Sequence, residues 1–147
     1  MTVKWSIKAF ADLSATDLYN IAYERIRTFV IAQQRIYQEI DETDPVAHHI
    51  MGVQDGRLVA YARVFEERGH VTFGRVLTIP EVRGQGLGRQ LMGQIEAEIH
   101  RDYPGRPIQI EAQIDKQGFY QKFGYRPSGP VFNFHGTPHV RMDKAAK

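Results

Sequence analysis

The segment Arg83-Gly84-Gln85-Gly86-Leu87-Gly88-Arg89 places three alternating glycines between two arginines. Glycine lacks the Cβ that would hold a ligand away from the main chain, and it adopts conformations closed to other residues. An apolar stretch, Val71 to Ile79, precedes the segment. Leu87, Leu91, Met92, Ile95 and Ile99 recur at helical spacing through and after it. The segment therefore reads as a bend from a strand into a helix. The first turn of a helix leaves N–H groups unpaired at its partly positive end. Such groups aimed at one point, with Arg83 and Arg89 beside them, make a cradle for a pyrophosphate.

Three phosphate-binding loops compete for this bend. A Walker A loop ends in Gly-Lys-Ser/Thr, and no such ending is present. A dinucleotide fingerprint needs a third glycine where Arg89 stands. It also follows the first strand of a βαβ unit, whereas a three-strand meander precedes this bend. The Arg/Gln-x-x-Gly-x-Gly/Ala loop of acyltransferases is satisfied by Arg83, Gly86 and Gly88. A tight turn without a ligand is the remaining reading, and it does not call for three alternating glycines.

The elements that must position this bend follow from periodicity. Val3 to Phe10 alternates apolar and polar residues and predicts a strand. Ser14 or Thr16 caps a helix whose apolar face runs from Leu18 to Val30. Arg35 to Pro45 reads as an irregular loop. His49 to Val53 and Leu58 to Phe65 flank Asp55-Gly56, a hairpin turn whose central positions need positive φ. Val71 to Ile79 is the next strand, stopped by Pro80. The helix from Gly86 to Arg101 ends before Pro104, Gly105 and Pro107. A strand at Ile108 to Ile114, a short helix at Asp115 to Phe123 closed by Gly124, and short strands near Tyr125 and His139 to Met142 complete the chain. The order β-α-β-β-β-α-β-α-β-β predicts an α/β protein with a mixed, mostly antiparallel sheet.

Composition bounds the function. The 147 residues fit one domain spanning 1–147. The formal charge of +2 is too small to argue for a nucleic-acid partner. No cysteine is present, which removes a cysteine nucleophile and thiolate metal sites. No apolar run is long enough to span a bilayer, and no leader is evident, so a soluble cytoplasmic protein with no membrane partner is expected. Arg101 and Arg106 thicken the basic character locally and read as solvated surface. Exposed sheet edges make a homodimer plausible.

Beyond the glycine loop, Arg25-Ile26-Arg27-Thr28-Phe29-Val30 with Gln33 resembles a known family, as do Tyr37-Gln38-Glu39-Ile40-Asp41, His48-His49-Ile50, Ala60-Tyr61-Ala62-Arg63 and Gly74-Arg75-Val76. Gln90-Leu91-Met92, Ala112-Gln113, Phe119-Tyr120-Gln121, Phe123-Gly124-Tyr125 and Gly136-Thr137-Pro138-His139 extend the likeness over nearly the whole length. The chain resembles the GNAT superfamily of N-acetyltransferases, and within it the ElaA-like branch. The resemblance implies transfer of an acetyl group from acetyl-coenzyme A (acetyl-CoA) to an amine. It implies that the strand ending at Ile79 splays from the next one and that pantetheine lies in the gap along Leu77, Thr78 and Ile79. The backbone of Leu77 and Ile79 would pair with the pantetheine amides. Arg83, Gly84, Gln85, Gly86, Leu87, Gly88 and Arg89 would hold the pyrophosphate, and Gln113 and Phe119 complete the cofactor-binding set. Two departures stand out. Ala32 occupies a position where the branch usually has Glu, and Gln113 one where many superfamily members have Asn.

Acyl transfer needs a neutral amine, a donor to the oxyanion and a proton for the leaving thiolate. Tyr120 matches the superfamily tyrosine that donates to the sulfur, although its spacing alone also suits a core tyrosine beside Phe119 and Phe123. His49 and His139 match branch positions and are candidate bases, each equally explained by a structural hydrogen bond. Glu111 is a weaker candidate. His135 and His139 lie four apart, but Gly136 and Pro138 exclude a helix between them and no third ligand is apparent, so no metal is expected. Arg63 and Arg75 are expected to pair with carboxylates of the Glu39 to Asp44 loop rather than with an acidic acceptor. Phe65, Phe73, Phe132 and Phe134 read as core and rim. A non-catalytic acyl-CoA-binding or regulatory domain is the alternative from another class, which Ala32 mildly favours and Tyr120 opposes. An acyl-homoserine-lactone synthase is disfavoured by the short length.

Overall fold

A computed structural model describes residues 2–146. The elements are β1 (Lys4–Ala9), α1 (Ala15–Ile26), β2 (His48–Gln54), β3 (Arg57–Glu67), β4 (His70–Thr78), α2 (Leu87–Asp102), β5 (Ile108–Gln113), α3 (Gln117–Gln121), β6 (Arg126–Pro127), β7 (Phe132–Phe134) and β8 (Thr137–Lys144). They form one eight-stranded sheet in the order β1-β2-β3-β4-β5-β8-β6, with β7 also paired to β8. All pairings are antiparallel except β4 with β5. The predicted order holds with one strand added: β7 is three residues long, too short to show an alternating pattern.

Local chemistry accounts for the boundaries. Ser14 Oγ accepts from Asp17 N at 3.0 Å while Asp17 Oδ2 accepts from Ser14 N at 3.0 Å, a reciprocal cap on α1. The helix is shorter than its apolar face suggests, because Arg27 to Ile31 widen into a π turn. Asp55 and Gly56 take φ of 51° and 77°, as the hairpin between β2 and β3 demands. Gly124 has φ of 90° just after α3, where a helix end favours glycine. The apolar stripe of α2 places Leu91, Met92 and Ile95 in the core with no exposure, against β3 and β4.

Two irregularities prepare the site. Between Tyr61 and Arg63 the β3–β4 register shifts, and opposite the shift Arg75 takes φ of 52°, so β4 carries a bulge at its centre. Beyond it, β4 and β5 part: their only bridge is Val71 with Ile108, near the start of both strands. Their C-terminal ends are left without a shared ladder.

Candidate functional site

The parted strands lead to the glycine bend. Gly84 and Gly86 have φ of 86° and 74°, values that side chains with a Cβ rarely tolerate. No atom lies within 4 Å of where a Cβ on either would stand, so both face open space. Gly86 is the N-cap of α2 and supplies no side-chain bond to the helix. The first intrahelical bond runs from Gln90 N to Gly86 O at 3.2 Å. The N–H groups of Leu87, Gly88 and Arg89 therefore have no intrahelical acceptor, at the positive end of a 16-residue helix.

A cleft of about 370 Å³ opens over these groups. Thr78, Arg83, Gly84, Gly86, Leu87, Gly88, Arg89 and Phe119 line it. A Cβ on Gly88 would stand 3.5 Å from the Phe119 ring, an ordinary packing distance, so α3 lies against the start of α2 here. Lys122 and Phe123 also line the cleft, and the sequence reading missed them as site residues. Their signal was available, since residues three and four after Phe119 share its helix face. Lys122 adds a third cation to Arg83 and Arg89. Arg101 and Arg106 lie elsewhere, paired with Glu98 and Glu66.

Other expected site residues fall outside that lining. Gln85 is exposed at the tip of the bend, and Leu77 and Ile79 are buried. The pairing of Ile79 corrects one expectation. Its N–H donates to Val59 O at 3.0 Å, and Leu77 sits opposite Tyr61 in the ladder to β3. Main-chain groups alternate in direction along a strand, so Val76 and Thr78, not Leu77 and Ile79, turn theirs toward the β5 side. Thr78 O already accepts a long bond from Arg83 Nη2 at 3.4 Å.

Tyr120 follows Phe119 on α3 and is 8% exposed. Its ring packs at 6.0 Å from Phe73 and 6.2 Å from Tyr125. Its hydroxyl makes no hydrogen bond to a described residue, yet it is not among the fully enclosed unpaired polar atoms. Burial pushes the phenol pKa up, which keeps the proton in place at neutral pH.

The two histidines differ sharply. His49 is 1% exposed and both ring nitrogens are taken. Nε2 lies 2.9 Å from Asp44 O and Nδ1 2.6 Å from the Tyr61 hydroxyl. A carbonyl only accepts, so Nε2 carries the proton and Nδ1 accepts from Tyr61. Burial lowers its pKa further, and the neutral ring acts as a strut between β2, β3 and the loop before β2. His49 therefore has no lone pair free for a proton in this geometry. His139 is on β8 opposite Gln113, flanked by Phe132 and Phe134. Its Nδ1 lies 2.8 Å from Thr137 O, which fixes the proton on Nδ1 and leaves Nε2 as the basic nitrogen. His135 sits at φ of 49° in the β7–β8 turn and stacks 4.8 Å from Tyr37.

Behind the splay lies a charge network that the sequence foresaw in part. Arg25 bonds Asp44 at 2.6 Å and Glu39 at 2.9 Å. Arg63 bonds Asp41 at 2.6 Å and Asp44 at 3.0 Å. Arg75, at the bulge, reaches Glu39 at 2.7 Å and Asp41 at 3.3 Å. These arginines and carboxylates balance, and they tie the loop before β2 to the distorted centre of β4. Glu111, the weaker base candidate, faces outward on β5.

Residues 17–146 match the family model for the acetyltransferase (GNAT) domain. The chain is 34% identical over 145 residues to protein ElaA of Escherichia coli K12, with 95% of each chain covered. The crystal structure of Escherichia coli ElaA superposes with a TM-score of 0.92 at 33% identity, covering 97% of this chain and 99% of that one. An acyl-CoA N-acyltransferase from Pseudomonas aeruginosa superposes with a TM-score of 0.93 at 35% identity, covering 98% and 100%. Parted strands, a positive-φ glycine bend at a helix start and this whole-length likeness agree: the chain belongs to the GNAT acetyltransferase family.

Proposed function

We propose that the protein transfers an acetyl group from acetyl-CoA to a primary amine of a small molecule or peptide, by direct attack and without a covalent enzyme intermediate. The observation that carries this reading is the gap between β4 and β5 opening onto the glycine cleft. The amides of Leu87, Gly88 and Arg89, with Arg83, Arg89 and Lys122, receive the pyrophosphate. Val76 and Thr78 offer main-chain groups to pantetheine, and Phe119 walls the channel. The amine nitrogen attacks the thioester carbonyl carbon, the C–S bond breaks and Tyr120 gives its proton to the departing sulfur. His139 Nε2 takes the proton lost by the amine, directly or through water.

Thiol release from acetyl-CoA across a panel of primary amines tests the reading. Release that depends on one class of amine supports it. Tight coenzyme A binding with no release from any amine would make the protein an acyl-CoA-binding domain instead. The cradle has its own test. Gly86→Ala forces a Cβ into a left-handed conformation at a cost of about 1–2 kcal/mol. Relief of that strain turns the bend and misaligns the amides. Affinity for coenzyme A in isothermal titration is expected to fall about tenfold, equivalent to ~1.4 kcal/mol. Lowered stability with unchanged affinity would remove the bend from the binding site.

A further inference from the structure

Arg35 is 6% exposed, comparable in burial to Arg25 and Arg63. Those two are matched by Glu39, Asp41 and Asp44, whereas Arg35 forms no ion pair with any carboxylate of the described residues. Its partners are all neutral. It donates to Phe134 O at 3.2 Å, His135 O at 3.4 Å and Gln33 Oε1 at 3.0 Å. Its guanidinium lies over the rings of Tyr37 at 4.5 Å and Phe134 at 5.5 Å. A guanidinium carries five N–H donors, so these bonds leave donors without a protein acceptor. A cation held out of water without a counter-charge is costly unless an anion arrives to neutralise it.

Its place says which anion. Gln33 Oε1, which accepts from Arg35, also accepts from Gln113 Nε2 at 3.2 Å. Gln113 ends β5, the strand that parts from β4, and stands opposite His139. Phe134 touches both His139, at 5.4 Å between rings, and Arg35. Arg35 thus belongs to the wall of Gln33, Gln113, Phe134 and His139, apart from the cleft with its own cations Arg83, Arg89 and Lys122. We infer that Arg35 reads the acceptor, and that the acceptor is a small primary amine bearing a carboxylate. With Nε, Nη1 and Nη2 each donating once, one N–H remains on each Nη, and those two can meet the two oxygens of a carboxylate. The inference rests on the acyl-transfer reading above and narrows its substrate class.

The test uses matched pairs of amines that differ only by carboxylate against primary amide, such as 4-aminobutyrate and its amide. Thiol release from acetyl-CoA is measured for wild type, Arg35→Met and Arg35→Lys. Comparing each variant's acid-to-amide ratio with that of wild type cancels the differing basicity of the two amines. Wild type is expected to favour the carboxylate member at least about tenfold in kcat/KM, the scale of a charge-assisted bond. Arg35→Met brings the ratio to about one while the acetyl-CoA KM and turnover of the amide stay near wild type. Arg35→Lys keeps part of the preference, and it carries the comparison alone if Arg35→Met does not fold. The same acid-to-amide ratio in wild type and variants overturns the inference and leaves acyl transfer standing. A loss of all thiol release in wild type fails the transfer reading itself. In that case thermal protection of the coenzyme A-loaded protein decides Arg35: carboxylates must raise the Tm of wild type more than their amides do, and not that of Arg35→Met. Equal protection by acid and amide overturns the inference.

Discussion

Tyr120→Phe is expected to lower kcat by about two to four orders of magnitude while coenzyme A affinity stays within about twofold of wild type. Breaking the C–S bond leaves charge on the departing sulfur, and a proton delivered to it lowers the barrier. Tyr120 has one to give: burial raises its pKa and no described residue competes for its hydroxyl. The same absence of partners makes the substitution gentle on the fold, because no buried acceptor is orphaned and the ring that packs on Phe73 and Tyr125 is kept. Equal falls in kcat and kcat/KM would mark an interaction made only in the transition state. Steady-state kinetics and a thermal melt of both proteins check this. An unchanged rate removes Tyr120 from the mechanism, and a large loss of stability would make it a core residue.

The glycine bend was legible because its chemistry is local. Alternating glycines, an apolar strand before them and a 3.6-residue stripe after them carry the geometry in one short segment. Asp55-Gly56 was legible for the same reason. Long-range facts were not. The bulge in β4 is built on Arg75, a residue type that does not advertise positive φ, and a bulge reverses which residues turn outward. The resemblance implied main-chain pairing by Leu77 and Ile79, and no local pattern shows that the ladder to β3 takes their groups and leaves Thr78, of the expected set, on the cleft. His49 failed differently. Its strand was right, but nothing in the alternation shows that Asp44 O and the Tyr61 hydroxyl close over both ring nitrogens. Arg35 looked like one more polar loop residue, because the sequence does not show which arginines find carboxylates. Arg63 and Arg75 did find them, as the general cost of burying a charge required.

That cost sets the largest expected loss of stability. Arg25 is 1% exposed and bridges Asp44 and Glu39, themselves 4% and 2% exposed. Arg25→Met keeps the volume of the stem and removes the charge, leaving buried carboxylates one cation short. Breaking a buried pair from one side costs about 3–5 kcal/mol, and urea unfolding of the variant should show a loss of that size. Arg141, whose pair with Asp143 is half exposed, is the control. Arg141→Ala should change stability by less than about 1 kcal/mol. The network also predicts the course of acid unfolding. Burial alone would raise the Asp44 carboxyl, but Arg25 and then Arg63 outweigh it and hold its pKa below the ordinary value. Asp41 is lowered likewise, burial being outweighed by Arg63 and Arg75. A carboxyl with a folded pKa below its unfolded one adds stability that is complete above the unfolded pKa, about 3.9. That stability is lost as the pH falls through the depressed folded value. Wild type should therefore hold its stability down to about pH 4 and lose it steeply below. In Arg25→Met the depression of Asp44 shrinks, so its loss still begins near the unfolded pKa but ends at a higher pH and is smaller in total. Parallel acid profiles for the two proteins, merely offset, would show that Arg25 contributes through packing and not through charge.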